Sequence, residues 1–295
     1  MTVKEKFSGI YPALLTPFKE DNSINERVLS ELVEMNIAKG VKGFYVGGST
    51  AEAFLLSLEE RKYILDIVTD TVKGRCRIIS HIGCISTLDA IKLGRYAEER
   101  GADAISSIPP FYYNFSLEEI KKYYFDIVNE ISLPMLVYNF PAFSGVSISE
   151  ETAAEFLNDD RFLGVKHTSN DFFSLERMKS HFPDKLVFNG FDEMFLAGIS
   201  MGADGGVGST YNFMAEKFVK MRKLCLEKRM DEAREIQRDV NTIITALAKV
   251  GVMPAEKAVL RMMGMDFGQC RAPFKQVNDD EEEYLRKTVL PLLKI

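Results

Sequence analysis

The sequence predicts a (β/α)8 barrel with a C-terminal helical appendix, and two features of its patterning carry that prediction. Short apolar runs recur eight times, at residues 10–15, 43–46, 77–82, 104–108, 134–138, 163–166, 186–189 and 205–207. Segments with helical period stand between most of them, at 25–39, 57–72, 87–100, 117–130 and 149–158, each opened by a polar starter or an acidic first turn. Strands that alternate with helices form a parallel sheet, and eight such units close into a barrel.

The start, Met1-Thr2-Val3-Lys4-Glu5-Lys6, leads directly into the first strand-like run, without the apolar stretch that a secretory signal needs. Small residues ahead of later strands (Gly40, Gly101-Ala102, Gly202-Ala203) suit helix ends that turn back into the barrel. After Asn212 only helical patterns remain, at 215–226, 230–250, 255–263 and 280–293. The acidic run Asp279-Asp280-Glu281-Glu282-Glu283 reads as a solvated helix N-terminus, where carboxylates favour the helix dipole. No Ser/Gly/Pro-rich linker interrupts the chain, and 46% of its 295 residues are hydrophobic, enough for one large core. Residues 1–212 are therefore expected to hold the barrel strands and the site, and 213–295 the last barrel helix and C-terminal helices of the same domain.

Composition narrows the function classes. The formal charge is −6, and Lys and Arg are scattered without a basic block, so nucleic acid is not an expected partner. No run approaches membrane-spanning length, so no membrane partner is expected either. The four cysteines (Cys76, Cys84, Cys225, Cys270) show no C-x-x-C spacing, which favours reduced core thiols and a cytoplasmic location. The three histidines (His81, His167, His181) show no metal-ligand spacing, so no metal is expected.

Barrel sites lie at the C-terminal ends of the strands, so the polar residues there are the ones to read. Lys166 ends the sixth run, and Tyr138 ends the fifth, about one strand-helix unit earlier. Adjacent strands would aim an amine and a phenol at the same space. Burial activates an amine nucleophile by disfavouring the ammonium, and a neighbouring hydroxyl can pass protons during imine chemistry. The local pattern alone also fits a surface lysine after a strand. Gly47-Gly48-Ser49-Thr50 follows the second strand and offers N–H groups and two hydroxyls to a carboxylate; an ordinary helix cap on a tight turn is the plainer reading. Asp192 and Glu193 suit a polyhydroxyl ligand, or simply a charged helix start, with Glu52 open to the same second reading. The run Gly205-Gly206-Val207-Gly208-Ser209-Thr210 fits a phosphate site or close backbone approach in a crowded barrel, with Ser209 left to contact a ligand hydroxyl. Tyr112 and Tyr113, which end the fourth strand beside Pro109-Pro110, suit an interface as well as a site. Phe143, Phe172 and Phe173 are expected to pack.

Taken together, these segments resemble one family. Gly47-Gly48-Ser49-Thr50-x-Glu52-Ala53-Phe54, Tyr138-Asn139-x-Pro141-Ala142-x-Ser144-Gly145, Lys166-x-Thr168-Ser169, Asn189-Gly190-x-Asp192-Glu193 and Gly202-Ala203-Asp204-Gly205-Gly206-x-Gly208-Ser209-Thr210-Tyr211-Asn212 look like the N-acetylneuraminate lyases of the dihydrodipicolinate synthase superfamily. The resemblance covers nearly the whole barrel. It departs at Ala51, where the family usually has glycine; the added methyl is expected to tighten the carboxylate loop.

The resemblance implies a Schiff-base aldolase that cleaves N-acetylneuraminate reversibly to pyruvate and N-acetylmannosamine, without a metal or redox cofactor, as a homotetramer. It gives Lys166 as the amine and Tyr138 as the proton carrier. Ser49 and Thr50 would hold the carboxylate; Thr168, Gly190, Asp192, Glu193 and Ser209 would face the sugar-derived hydroxyls; Tyr112 would enter from a neighbouring subunit. The alternatives are another pyruvate-dependent sugar-acid aldolase, dihydrodipicolinate synthase, and a metabolite-binding barrel without catalysis. The synthases usually carry an arginine where this chain has Ala142-Phe143-Ser144, and the intact Lys166, Tyr138 and Ser49-Thr50 set argues against a purely binding role.

Overall fold

The computed structural model describes residues 2–293. Eight parallel strands, β1 (Ile10–Pro12), β2 (Gly43–Val46), β3 (Arg77–His81), β4 (Ala104–Ser107), β5 (Met135–Asn139), β6 (Phe162–His167), β7 (Leu186–Asn189) and β8 (Gly205–Gly208), lie in the order β1-β8-β7-β6-β5-β4-β3-β2. The ring closes between β1 and β2: Lys42 donates its backbone N–H to Ile10 O, Leu14 donates to Tyr45 O, and Ala13 bridges Tyr45 in parallel. The expected (β/α)8 barrel is the observed fold.

Alternation along the strands sorts side chains into two cores. Tyr11, Tyr45, Ile79, Leu136, Leu163, Phe188 and Val207 fill the barrel interior, while Phe44, Ile78, Ile105, Val137, Val165 and Val187 face the surrounding helices. At β6 that alternation is broken on purpose. Met135 pairs with Phe162 but Leu136 pairs with Gly164, so Leu163 is an extra residue in the register. Such a bulge reverses the facing of everything after it. Without it Lys166 would point at the helices; with it Lys166 faces inward, directly opposite Tyr138 of β5. Gly164 permits the bulge, at φ 155°, where a Cβ would sit 1.9 Å from Leu186 O.

Several boundaries depart from the sequence reading. The first strand is regular only to Pro12 instead of residue 15, because the chain then changes partner: Ala13 N still bonds Gly208 O on β8, while Leu14 N bonds Tyr45 O on β2. A short helix, Val3–Phe7, precedes it, fixed by a capping box in which Thr2 and Glu5 exchange side-chain and backbone hydrogen bonds. Its Phe7 enters the interior core, and Tyr11 donates its hydroxyl hydrogen bond to Phe7 O. Helices Phe172–His181 and Phe195–Ser200 complete the units after β6 and β7, where no periodic segment was read. Phe172 packs against the core, but Phe173 is 75% exposed, contrary to its expected packing role.

After β8 the helices Tyr211–Leu226, Met230–Val250, Val252–Met262 and Asp279–Thr288 follow closely the patterns read beyond residue 212. The acidic run opens the last of these behind an Asn278 capping box. All four cysteines are free thiols, with Cys270 the most buried. Among the described residues no helix is long and apolar enough to cross a membrane, and no cluster of three or more His, Cys, Asp or Glu side chains could hold a metal ion.

Candidate active site

A cavity of about 610 Å³ opens at the C-terminal ends of the strands. Nine of the ten candidate residues line it: Ser49, Thr50, Tyr138, Lys166, Thr168, Gly190, Asp192, Glu193 and Ser209. Tyr112 does not. It is 83% exposed, with its ring edge-on to Tyr113 at 5.0 Å and its backbone at φ 78°. β4 ends at Ser107, and Tyr112 lies in the loop beyond it.

Lys166 is buried, and its Nζ lies 3.8 Å from the centroid of the Tyr138 ring and 4.4 Å from that of Tyr45. The surface-lysine reading therefore fails. Burial disfavours the ammonium and lowers its pKa to about 7, against the pull of the Asp192 carboxylate. Tyr45 was not singled out in the sequence. It ends no motif, yet from β2 it supplies half of the aromatic slot around the amine, with its hydroxyl tied to Ser106 Oγ at 3.0 Å.

Tyr138 is also buried. Desolvation pushes its phenol well above the ordinary tyrosine range, the hydroxyls of Thr168 and Ser49 beside it counter part of that rise, and Asp192 adds to it. The phenol is thus protonated across the physiological range. Ser49 opens the 3-10 turn Ser49–Ala51, which has no side-chain cap, so the helix-cap reading does not hold for it. Ser49 Oγ and Thr168 Oγ1 are buried and have no hydrogen-bond partner of normal geometry among the described residues, which leaves both hydroxyls available to a ligand. Ala51 fits the turn because the left-handed residue is the next one, Glu52, at φ 59°. Thr16 Oγ1 donates to Ala51 O at 2.9 Å and holds the loop against the barrel.

Glu52 is no helix-start charge. Its Oε1 lies 2.5 Å from Lys257 Nζ, neither side chain is exposed, and its Oε2 accepts from Arg271 N at 2.8 Å. The loop is thereby anchored to the C-terminal helices. Asp192 is buried in the 3-10 turn Asp192–Met194 and accepts from Thr210 N at 2.9 Å and Thr210 Oγ1 at 2.6 Å through one oxygen. Burial raises its carboxyl to about 6, and the Thr210 bonds restrain that rise. Glu193 beside it is exposed at the cavity rim. The glycine run of β8 serves close approach: a Cβ at Gly208 would stand 1.7 Å from Asp192 Oδ1.

Three further findings concern residues that the sequence left in other roles or unnoticed. Phe143, expected to pack, is 65% exposed and lines the cavity mouth beside Phe140, ring centroids 4.2 Å apart. Asn139 and His167, at the strand ends, support loops: Asn139 bonds Ile148 in both directions and faces His167 Nδ1 at 3.2 Å, and His167 Nε2 meets Asp171 O at 2.9 Å. Glu256, on Val252–Met262, stands 2.6 Å from Ser209 Oγ and is fully buried.

A buried amine of lowered pKa, paired in register with a protonated phenol and faced by unpartnered hydroxyls, defines a barrel equipped for imine chemistry on a small oxo acid. The chain matches the dihydrodipicolinate synthetase family over residues 6–291 and belongs to it. It is 46% identical to the N-acetylneuraminate lyase of Rhizobium meliloti over 289 residues, 98% of this chain and 96% of the relative. A solved structure from Clostridium difficile in complex with mannosamine superposes with a TM-score of 0.94 at 37% identity, covering 97% of this chain and 99% of the other. The N-acetylneuraminate lyase of Fusobacterium nucleatum complexed with pyruvate gives 0.93 at 38% identity and 98% coverage of both chains.

Proposed function

We propose that this protein is an aldolase that cleaves N-acetylneuraminate reversibly to pyruvate and N-acetylmannosamine through a Schiff base on Lys166. The observation that carries the reading is the buried Lys166 amine, lowered to about pKa 7 and held between the Tyr45 and Tyr138 rings. The similar lyases, one of them solved with pyruvate, support the substrate class.

In the cleavage direction the neutral amine adds to the C2 ketone, and water leaves to give an iminium. The C3–C4 bond then breaks, its electrons pass to the iminium nitrogen, and the C4 hydroxyl loses its proton as the aldehyde forms. The remaining enamine is protonated at C3 and hydrolysed to pyruvate, which restores the amine. Tyr138 suits the proton steps as a relay: its raised pKa makes it poor at storing negative charge, so it gives one proton as it takes another. Ser49 and Thr50 hold the carboxylate in this reading. Thr168, Gly190, Asp192, Glu193 and Ser209 receive the sugar-derived chain, with Asp192 and Glu193 as acceptors.

Phe143, in the Ala142-Phe143-Ser144 segment where a synthase that condenses pyruvate with aspartate semialdehyde usually carries an arginine, lines the cavity beside Phe140, which weighs against that alternative. The exposed Tyr112 is assigned to the cavity of a neighbouring subunit in a homotetramer, and the free thiols fit a reducing cytoplasm. The C-terminal helices belong to the barrel domain in this reading, since Val252, Met253 and Pro254 line the same cavity.

Borohydride reduction in the presence of pyruvate tests the covalent step. Intact mass should show one reduced pyruvyl group per chain, and peptide mapping should place it on Lys166. A label elsewhere, or none, removes the mechanism. Faster pyruvate release from a short sugar acid than from N-acetylneuraminate would transfer the assignment to a different sugar-acid aldolase.

A further inference from the structure

Glu256 is buried without a cation. It is 0% exposed, and among the described residues the one hydrogen bond of its side chain is to Ser209 Oγ at 2.6 Å, leaving Oε2 without a partner. Val252 and Met253, on the same helical face one turn earlier, line the cavity, so Glu256 stands directly behind its wall. Among the described residues no cation pairs with its carboxyl, although Lys166 and Lys275 line the cavity in front of it. Asp192 acts on it as a like charge, Cys270 is a neighbouring thiol, and Lys257, next in sequence, is engaged with Glu52. A carboxyl so placed holds its proton, and burial lifts its pKa to about 8.

One proton lies between Ser209 Oγ and Glu256 Oε1, and its source decides what Ser209 shows the cavity. A protonated carboxyl donates its own O–H, which frees the Ser209 hydroxyl hydrogen. A carboxylate accepts only, so Ser209 must turn its hydrogen away from the cavity and offer lone pairs there.

We propose that Glu256 is a positioning residue that makes Ser209 a hydrogen-bond donor toward the substrate, and that loss of the Glu256 proton turns Ser209 into an acceptor. The inference rests on the aldolase reading above and refines its specificity. The site then takes a polyhydroxyl chain that gives hydroxyl protons to Asp192 and Glu193 and presents an acceptor oxygen to Ser209. Alkaline pH weakens that match without touching the carboxylate loop.

The test compares wild type, Glu256→Gln and Glu256→Leu as full chains. KM and kcat for N-acetylneuraminate are measured from about pH 6 to about pH 9, with borohydride trapping of pyruvate as the reference. Wild type should show KM rising about tenfold above pH 8, the loss of one hydrogen bond, while kcat moves less. Glu256→Gln, which can donate at every pH, should lose that alkaline rise. Glu256→Leu should raise KM about tenfold at neutral pH, with pyruvate trapping changed less than about twofold. A separate arm records infrared spectra from neutral to alkaline pH, where a protonated-carboxyl band should fade in wild type and be missing in Glu256→Gln.

An alkaline KM rise that persists in Glu256→Gln, an unchanged KM in Glu256→Leu, or no carboxyl band assignable to Glu256 overturns the proposal. A wild type that traps pyruvate but does not cleave N-acetylneuraminate refutes the substrate assignment instead. The infrared arm still decides whether Glu256 holds the proton in that case.

Discussion

Tyr138 and Lys166 are register partners across β5 and β6, and the Lys166 amine rests 3.8 Å from the centroid of the Tyr138 ring. The ring and the hydroxyl of Tyr138 therefore do separable things. The ring packs against the amine, and the proposed mechanism gives the hydroxyl the proton transfers. Tyr138→Phe keeps the first and deletes the second, so pyruvate trapping on Lys166 should survive while cleavage slows by about 10²–10⁴-fold, the range for a positioned acid-base group. Single-turnover cleavage beside borohydride trapping measures the two separately. Wild-type cleavage in the Phe variant would take Tyr138 off the proton path.

The amine also sets a pH limb. Only the neutral form attacks a ketone, so with a pKa of about 7 the rate of pyruvate imine formation should rise with pH below 7 and level off above it. Asp192 is the charge that opposes the downward shift. Asp192→Asn removes it, so the ammonium is less favoured and the limb should move to lower pH. Rapid-quench borohydride trapping across the range gives both limbs. A limb that stays in place, or moves upward, would show that Asp192 does not act on the amine.

Much of this arrangement was legible in the sequence because barrel strands announce themselves and their last residues form the site. β2 and β7 were read to the residue, and Lys166, Tyr138, Ser49 and Asp192 all reach one cavity. What escaped is long-range or local in ways that periodicity does not record. The inward facing of Lys166 depends on a single bulge at Leu163, which a run of apolar residues cannot reveal. Glu256 meets Ser209 across 47 residues, and Lys257 meets Glu52 across 205. The one available signal was two adjacent charges, Glu256 and Lys257, set inside the apolar stretch from Val252 to Leu260. The Val3–Phe7 helix is too short for a helical period, although Thr2 and Glu5 stand at capping-box spacing.

The Glu52–Lys257 pair should behave as a buried ion pair that anchors the Ser49–Thr50 loop. Removing one partner strands the other charge away from water, so Lys257→Met should lower stability by about 3–5 kcal/mol and weaken pyruvate trapping by loosening the loop. Glu52→Gln combined with Lys257→Met leaves no buried charge, and its loss should be well below the sum of the two single changes. Urea unfolding of the three variants checks this. Additive losses would mean that the two side chains stabilise the fold independently.

Gly208 tests whether the position of Asp192 matters apart from its charge. A methyl at Gly208 would lie 1.7 Å from Asp192 Oδ1 and 2.7 Å from Tyr211 Cε1, so in Gly208→Ala the carboxylate should swing away and strain the two bonds that Thr210 donates to its other oxygen. The backbone itself tolerates alanine, because φ at this position is not positive. Two consequences should appear together. With the carboxylate displaced from the amine, the pH limb of pyruvate trapping should shift downward as in Asp192→Asn, while the trapped species still forms. With an acceptor misplaced in the pocket, kcat/KM for N-acetylneuraminate should fall by about 10²-fold, since a 1 Å misplacement is enough to lose that much. A Gly208→Ala enzyme that keeps its kcat/KM would mean that Asp192 does not read the sugar chain, whatever its influence on Lys166.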